Sequence, residues 1–553
     1  MKKVKLLCLL LVLLMLLPAC STQPAGTTTP PDSATPPPAS TPGDPTQAPE
    51  RGPIEITTVG TTVGDMVLTY LEQFGENDQD NRWLRKIQEE LDITVKYLWT
   101  AGSADEYVQK LNLSLVSGDI PDIIPFSSLS QVRQAMMAGY VVDAKPYFDQ
   151  YGSPLLKEIY DLDLNVEMDA CTFDGVLGAI PRIMPAHDSI QVLYIRKDWL
   201  DVLGISDPKS QQDVIDIMKA FSEQDPDGNG IDDTYGMLLN GDIWGAAGIS
   251  GFCAAYDAYP NIWYDDGSGQ LVYGSVQPQM KKALTMLNEM YGQGLFDPEF
   301  VINNVVEQMV AGKAGVAYGP DSTPWLLQLG HNYDGAMWSG YVPMHESNEY
   351  AKVPVRSATS GSFGINKSFA HPEALLEIMN LHAEMCWGET AEGDVYFGAG
   401  EGEGMWRLNP FSFLHPHGNY LILEGVTKGL EQGSADGIFP AAVGFYEGVR
   451  LYRDEKNENA WSNEYVFSPN PYASIVVNKF QVDNDLIFPA VKTWTQSEED
   501  RGVVCNKHLT DAFVKMIMGE MPVSEFDNVV SQWYTLGGQQ MLEDKNDWYS
   551  TMK

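Results

Sequence analysis

The residues from 225 to 233 have the order of side chains that a metal-binding loop requires. Carboxylate or amide side chains occupy the first, third, fifth and ninth positions, and a glycine in the sixth position allows a tight turn. This order matches the first part of an EF-hand, and Ca²⁺ is a hard cation that prefers such oxygen ligands. The predicted ligands of a structural Ca²⁺ ion are the side chains of Asp225, Asp227, Asn229 and Asp233 and the backbone carbonyl of Ile231.

This loop is not a complete EF-hand. An EF-hand has a bidentate acid in its twelfth position, and that position is Gly236 here. A remaining ligand must therefore be a water molecule or come from another part of the chain. The alternative interpretation is an acidic turn that binds no metal.

Aromatic residues are the second group that could do chemistry. The chain contains 13 tryptophans and 26 tyrosines, many of them in segments that have the composition of loops. Sugar rings stack their apolar C–H faces on flat aromatic side chains, and polar neighbours bind the hydroxyls. Packing in an apolar core is the alternative for each residue. The expected ligand-binding residues are Trp244, Tyr256, Trp263, Trp325 and Trp406.

Motifs for catalysis are missing from the sequence. It contains no G-x-S-x-G, P-loop, H-E-x-x-H or G-x-G-x-x-G pattern. His382 and Cys386 are four residues apart, but they share an apolar helical face, which predicts core packing rather than a metal pair. The 75 acidic residues offer many carboxylate pairs for glycoside hydrolysis, and nothing in the sequence selects one. We therefore expect a protein that is not an enzyme.

The N-terminal residues have the pattern of a bacterial lipoprotein signal. Three lysines precede an apolar run over residues 6–17, which is shorter than the roughly 20 residues that span a bilayer. The sequence Leu-Pro-Ala-Cys then resembles a lipobox that ends at Cys20, the predicted site of lipidation. An ordinary cleaved signal is the alternative. Residues 21–50 contain nine prolines and ten Ser or Thr, and they predict a disordered tether.

The net charge of −40 limits the possible partners. It excludes nucleic acid, because a polyanion would be repelled. It also disfavours a polyuronate ligand, although a local basic patch would reverse that conclusion. Four cysteines remain beyond the signal, without any C-x-x-C pair, and their pairing stays open. They are Cys171, Cys253, Cys386 and Cys505.

Short β-branched runs alternate with amphipathic stretches in the body of the chain. Strands are predicted at residues 54–59, 93–98 and 122–126, and helices at 82–91 and 105–116. This alternation of strands and helices indicates an α/β fold with parallel strands. Later strand-like segments indicate that the chain crosses between two lobes more than once.

Several short motifs, in order along the chain, resemble those of the extracellular solute-binding proteins, family 1. This family comprises lipoproteins of bacterial ABC importers for oligosaccharides, and the resemblance covers residue 54 to the C-terminus. The motifs are Gly-Asp-Ile-Pro-Asp (118–122), Asp-Gly (174–175) with Ile-Pro (180–181), Leu-Tyr-Ile-Arg-Lys-Asp-Trp-Leu (193–200), Asp-Pro-Asp-Gly-Asn-Gly (225–230), Gly-Leu-Phe-Asp-Pro-Glu-Phe (294–300) and Gly-Gly (537–538).

The resemblance implies a two-lobed periplasmic-binding-protein-like fold of type II, with a hinge and an interlobe ligand cleft. It also relates the chain to alginate-binding members that carry calcium on a similar loop. In those members an acid follows the ninth position, whereas Thr234 does so here. The expected domains are a signal peptide (1–19), a lipidated tether (20–53), lobe 1 (54–178 plus 310–365) and lobe 2 (179–309 plus 366–553).

The expected function is that of a monomeric, lipid-anchored receptor on the extracellular face of a bacterial cell membrane. Such a receptor would capture an oligosaccharide and deliver it to the permease subunits of an ABC importer. The alternatives are a surface-anchored glycoside hydrolase or polysaccharide lyase, and a peptide-binding lipoprotein. The sequence does not name the sugar.

Overall fold

The computed structural model describes residues 51–62, 71–162, 166–245, 247–303, 305–356, 361–398 and 404–551. The predicted signal peptide, the lipidation site at Cys20 and the tether lie outside the described residues. The chain from Gly52 onward forms one compact unit.

Strands and helices alternate along most of this unit. The strands are β1 (Ile54–Thr61), β2 (Ile93–Ala101), β3 (Ile123–Phe126), β4 (Thr172–Phe173), β5 (Val176–Leu177), β6 (Ile180–Pro181), β7 (Val192–Arg196), β8 (Tyr235–Met237), β9 (Trp263–Asp265), β10 (Leu271–Tyr273), β11 (Ala314–Gly319), β12 (Trp338–Tyr341), β13 (Val353–Val355), β14 (Ser362–Ile365) and β15 (Ile487–Pro489).

The α-helices surround these strands. They are α1 (Arg82–Leu91), α2 (Ala104–Ser117), α3 (Leu129–Met137), α4 (Lys145–Tyr151), α5 (Pro154–Leu162), α6 (Val166–Ala170), α7 (Lys197–Leu203), α8 (Gln211–Glu223), α9 (Ser250–Ala254), α10 (Pro278–Gly292), α11 (Val305–Val310), α12 (Thr323–Asp334), α13 (Glu373–Trp387), α14 (Gly393–Tyr396), α15 (Gly418–Gln432), α16 (Val443–Glu455), α17 (Trp461–Phe467), α18 (Ser474–Asp483), α19 (Gln496–Ile517), α20 (Phe526–Trp533) and α21 (Gln539–Thr551).

The first group of strands joins the start of the body to a much later segment. β1 pairs in parallel with β2, and the hydroxyl of Thr58 in β1 donates to the carbonyl of Ile123 in β3. β14 lies antiparallel between β3 and β6. The apolar core behind these strands, here called the first core, also includes buried residues of α13, α15 and α16.

The second sheet has the strand order β12-β7-β11-β8. β7 is antiparallel to both of its neighbours, and β11 is parallel to β8. All five residues of β7 are buried, because helices cover both faces of the sheet. The apolar core here, called the second core, also includes buried residues of α10 and α19.

The described residues show three crossings of the chain between the two cores. The crossings lie at residues 182–191, between Arg356 and Gly361, and at residues 468–495. β13, which directly precedes the second crossing, pairs in parallel with β15 in the third. Backbone hydrogen bonds therefore tie the third crossing to the strand that leads into the second, and a hinge is expected at such connections.

This pairing differs from the predicted lobe boundaries. Residues 310–365 were expected with the first lobe, yet β11 and β12 are hydrogen-bonded to β7 in the second sheet. Residues 366–553 are predicted in the second lobe, yet α13, α15 and α16 pack in the first core. Periodicity predicts where a strand lies, but it does not identify the strand that pairs with it.

Several local predictions agree with the structure. The predicted helix at 82–91 is α1, and His382 and Cys386 are both fully buried in the packing of α13. The four cysteines beyond the signal are free and buried. Within the described ranges, no helix combines the length and apolar character needed to cross a bilayer.

Candidate functional site

A cavity of about 450 Å³ lies between the two cores. One wall comes from the first core: residues 127–130 at the start of α3, Cys171, and Ser362 at the start of β14. The opposite wall contains residues 261–263 and residues of α19 and α21, and the crossing segments supply Arg356 and residues 490–494. The volume is within the range of about 300–1,000 Å³ that is typical of ligand pockets.

Trp263 is anchored by an ion pair on the second wall. Its indole N–H donates to Glu498 Oε1 at 3.3 Å, and the Lys545 ammonium lies 5.6 Å from its ring centre. Lys545 Nζ donates to Glu498 Oε2 at 2.5 Å and to the Thr493 carbonyl at 2.6 Å. Burial lowers the pKa of Lys545, and the Glu498 carboxylate opposes that shift. The ion pair therefore fixes the orientation of the ring beside the cavity.

The crossing segments contribute two further groups. The backbone N–H of Arg356 donates to Ser189 Oγ at 2.9 Å, which ties the second crossing to the first. Burial lowers the pKa of the Arg356 guanidinium. The ring of Trp494 contacts Phe173 edge to face, and its indole N–H is buried without a hydrogen-bond partner. A ligand in the cavity could accept that hydrogen bond.

A second cavity of about 430 Å³ adjoins the first, since Ser127 and Ser362 line both. Arg182 and Arg407 line it. Arg182 donates to the carbonyl and the hydroxyl of Ser412, both at 3.0 Å. Burial, together with the nearby Arg407, lowers the pKa of Arg182 to about 10. Together the two cavities are called the cleft: the first lies between the cores, and the second extends from it along β1, β3 and β14.

One of the five predicted aromatic residues, Trp263, lines this cleft in the described chain. Trp244 donates its indole N–H to Thr510 Oγ1 and packs on Phe513. Tyr256 is buried in the second core, and Trp325 packs against the first.

Trp406 is also buried in the first core, 5.7 Å and 4.5 Å from the guanidinium carbons of Arg182 and Arg407. Trp406 does not line the cleft itself, but it packs on these two arginines, which do. Loop composition therefore indicates exposure less reliably than the tertiary fold does, because large aromatic side chains gain most by burial.

The sequence reasoning missed Arg356, Trp494 and Arg182. Trp494 also lies in a loop-like segment, two residues before the start of α19. Arg182 follows directly on the Ile-Pro motif at 180–181. The arginines carried no local signal, since their position in the cleft depends on where the chain crosses between the cores.

The predicted calcium loop brings its polar side chains together. Asn229 Nδ2 donates to Asp227 Oδ2 at 2.8 Å and to Asp233 Oδ1 at 3.2 Å. The backbone N–H of Gly230 donates to Asp225 Oδ2, while Asp225 Oδ1 is buried without a hydrogen-bond partner. Burial and the neighbouring carboxylates raise the pKa of Asp227. This oxygen-rich turn, with an orphaned carboxylate oxygen, fits a hard cation.

Two features of this loop oppose metal binding. Lys313 Nζ forms an ion pair with Asp233 Oδ2 at 2.9 Å and so occupies one predicted ligand. Among the described residues, no group of three or more His, Cys, Asp or Glu is arranged to hold a metal ion. A cation would therefore have to draw in the Asn229 oxygen and displace Lys313.

Residues 75–381, more than half of the chain, match the family described as bacterial extracellular solute-binding protein. The chain belongs to this family. The polygalacturonan/rhamnogalacturonan-binding protein YtcQ of Bacillus subtilis (strain 168) is 25% identical over 487 residues, which cover 84% of this chain and 86% of YtcQ.

Solved structures show the same fold. The alginate-binding protein AlgQ2 without calcium ion has a TM-score of 0.60 and 15% identity, covering 90% of this chain and 98% of that one. An EF-hand mutant of the S. pneumoniae ABC-transporter substrate-binding protein FusA, in complex with fructo-nystose, has a TM-score of 0.60 and 17% identity, covering 90% and 99%. The predicted family and the two-lobed α/β fold are confirmed.

Proposed function

We propose that this member of the family is a lipid-anchored receptor on the extracellular face of a bacterial membrane. It captures an oligosaccharide between its two lobes and delivers it to the permease of an ABC importer. The observation that carries the proposal is the cleft between the cores, which is lined by residues of both cores and of the crossings. YtcQ is named for binding polygalacturonan and rhamnogalacturonan, and FusA is bound to fructo-nystose, so an oligosaccharide is the ligand class that both support.

The strand pairing suggests revised lobe boundaries. We assign residues 54–181 and 362–467 to the first lobe, because their strands and helices share the first core. Residues 192–355 and 496–551 form the second lobe around the second core. The three crossings then act as the hinge. Closure requires a ligand that contacts both lobes, since a ligand without preference between open and closed states shifts no population.

A Ca²⁺ ion in the loop at 225–233 would stabilise the second lobe without entering the cleft. The loop follows α8 directly and lies outside the residues that line the two cavities. Support comes from the convergent carboxylates described above and from two structurally similar proteins, AlgQ2 without calcium ion and the EF-hand mutant of FusA. Its role is structural, and no step of ligand capture depends on it.

Small-angle X-ray scattering with oligosaccharides tests the receptor mechanism. The correct ligand should reduce the radius of gyration, quench or shift tryptophan fluorescence through Trp263 and Trp494, and be recovered uncleaved. The same experiment with the constituent monosaccharide is the control, because a single ring reaches fewer groups on both walls. A tightly bound oligosaccharide that leaves the open scattering profile unchanged contradicts the hinged receptor, and cleavage products would indicate a hydrolase or lyase.

A further inference from the structure

The cleft has a charge opposite to that of the whole chain. The protein contains 35 basic and 75 acidic residues, whereas the described residues that line the two cavities include five basic and two acidic ones. The basic residues are Arg182, Arg356, Arg407, Lys492 and Lys545, and the acidic ones are Glu498 and Glu499. A random sample of this chain would contain about twice as many acids as bases, so the enrichment marks a local requirement.

Lys545 is neutralised inside the protein by Glu498, but Arg356 is not neutralised in this way. The electrostatic neighbour of the Arg356 guanidinium is the Tyr273 phenol, which is uncharged at neutral pH. No carboxylate forms a salt bridge with it among the described residues, and the adjacent residues 357–360 are Ser-Ala-Thr-Ser. A guanidinium that is partly removed from water without a counter-ion is costly, unless a ligand supplies the anion.

Arg182 shows the same imbalance in the adjoining cavity. Its guanidinium donates to two oxygens of Ser412, and both are neutral. Its charged neighbour is Arg407, which repels it. Within the described part of the chain, no acid lines this cavity. Each of the two adjoining cavities thus contains an arginine that forms no salt bridge with a carboxylate of the described residues.

Neutral donors at the cleft favour the same ligand. Ser128 and Ser130 line the first cavity at the start of α3, a nine-residue helix whose amino end faces that cavity. The positive end of a helix dipole attracts anions. Trp494 lines the same cavity, and its indole N–H is unpartnered.

We infer that the cleft takes an oligosaccharide that carries carboxylate groups, with Arg356 binding a ring carboxylate and Arg182 binding a second anionic or hydroxyl-bearing ring. This inference rests on the proposed receptor function and specifies its ligand class. A guanidinium binds a carboxylate through two parallel hydrogen bonds, a geometry that a lysine ammonium does not reproduce. The overall charge of −40 does not oppose such binding, because screening limits its effect to about 8–10 Å at physiological ionic strength.

Isothermal titration calorimetry with three trisaccharides tests the inference. The probes are trigalacturonate, its fully methyl-esterified form and maltotriose, each at 50 mM and 300 mM NaCl. Trigalacturonate should bind at least tenfold more tightly than its ester, and its affinity should fall with salt while that of the ester should not. A sulfated trisaccharide of equal length distinguishes a carboxylate from a sulfate ester as the recognised anion.

Variants then locate the interaction. Arg356→Gln should weaken trigalacturonate binding at least tenfold and change ester binding less than threefold, and Arg356→Lys should restore only part of the loss. Arg450→Gln is the matched control, because it removes the same charge as Arg356→Gln. Arg450 is a surface residue of α16 that lines neither cavity. Unchanged melting temperatures would show that the variants remain folded.

The outcomes separate the two proposals. Equal affinity for acid and ester, tighter binding of the sulfated probe, or an Arg356→Gln variant that behaves like Arg450→Gln would overturn the inference and leave the oligosaccharide receptor intact. A protein that binds maltotriose but neither acidic probe would also overturn the inference and leave the oligosaccharide receptor intact. A protein that binds no saccharide of the panel would contradict both.

Discussion

Asn478 donates a hydrogen bond of 2.9 Å from Nδ2 to Asp321 Oδ2, inside a polar cluster in which both residues are buried. The same amide donates to the His187 carbonyl in the first crossing, at 2.8 Å. Asp188, next in that crossing, accepts from Asn419 Nδ2 at 2.8 Å. This cluster therefore ties the first crossing to α15, to α18 and to the loop before α12.

The two acids of this cluster should make stability depend on pH. Burial raises the pKa of Asp188 to about 7, and burial together with Asp188 raises that of Asp321 well above its ordinary value. When the folded state raises the pKa of an aspartate, the contribution of its proton to stability is fully present below the unfolded pKa of about 4. That contribution is lost as the pH rises through the folded pKa. The unfolding free energy should therefore fall between pH 5 and 8, by up to about 1.4 kcal/mol per pH unit for each proton.

Urea denaturation of an Asp188→Asn variant at pH 5, 6, 7 and 8 measures this effect. The variant should lose less stability over that range than the unchanged protein. Burial and His417 lower the pKa of His187, which gives the opposite slope below pH 6.5, but both proteins share that contribution. Asp483→Asn, an exposed change on α18, is the control. Parallel stability curves for Asp188→Asn and the unchanged protein would refute the account.

Local structure could be predicted from the sequence, but the pairing of strands and the tertiary contacts of side chains could not. The periodicity that predicted a helix at 82–91 is a local property, and α1 has those bounds. The partner of β11 is β7, more than a hundred residues earlier, and no spacing encodes that choice. For the same reason Trp263 and Trp244 looked equivalent in sequence, although one lines the cleft and the other packs on α19.

Trp494 should contribute a hydrogen bond to the ligand in addition to its ring. A Trp494→Phe variant keeps an aromatic face but removes the buried, unpartnered N–H. We expect weaker oligosaccharide binding by about 0.5–1.5 kcal/mol, roughly two- to twelvefold, with little loss of stability. Calorimetry and thermal melting measure the two quantities.

Trp244→Phe is the matched control for this prediction. Its indole N–H is already bonded to Thr510 Oγ1 at 2.9 Å, away from the cleft. The change should lower the unfolding free energy by about 1 kcal/mol and leave affinity unaltered. If Trp494→Phe instead loses stability and keeps full affinity, its N–H does not serve the ligand.

Cys20 should anchor the protein by a lipid. The basic and apolar segments before it, and the proline-rich tether after it, are the features that predict lipidation. Cys20→Ala should release the protein into the medium or leave it unprocessed, while the body keeps its melting temperature. Membrane fractionation and mass spectrometry of the N-terminus measure this, with Cys171→Ala as a cysteine control within the folded body. Full membrane retention of Cys20→Ala would contradict the prediction.

The calcium loop gives a test in which one substitution should increase binding. Chelation should lower the melting temperature of the metal-loaded protein, since binding to the native state alone stabilises it by about 2.7 kcal/mol at 100 times the dissociation constant. Asp227→Ala should abolish that response. Lys313→Met should instead raise Ca²⁺ affinity, because it removes the ammonium that pairs with Asp233 at 2.9 Å.

Lys282→Met, which removes an exposed lysine from α10, controls for the change in net charge. Titration with Ca²⁺, followed by calorimetry and melting, should rank the affinities as Lys313→Met above the unchanged protein and Lys282→Met, with Asp227→Ala lowest. The pairing with Lys313 explains this order, because the cation and the ammonium compete for the same carboxylate. A Lys313→Met variant that binds Ca²⁺ no better than Lys282→Met would show that the ion, if bound, does not use Asp233.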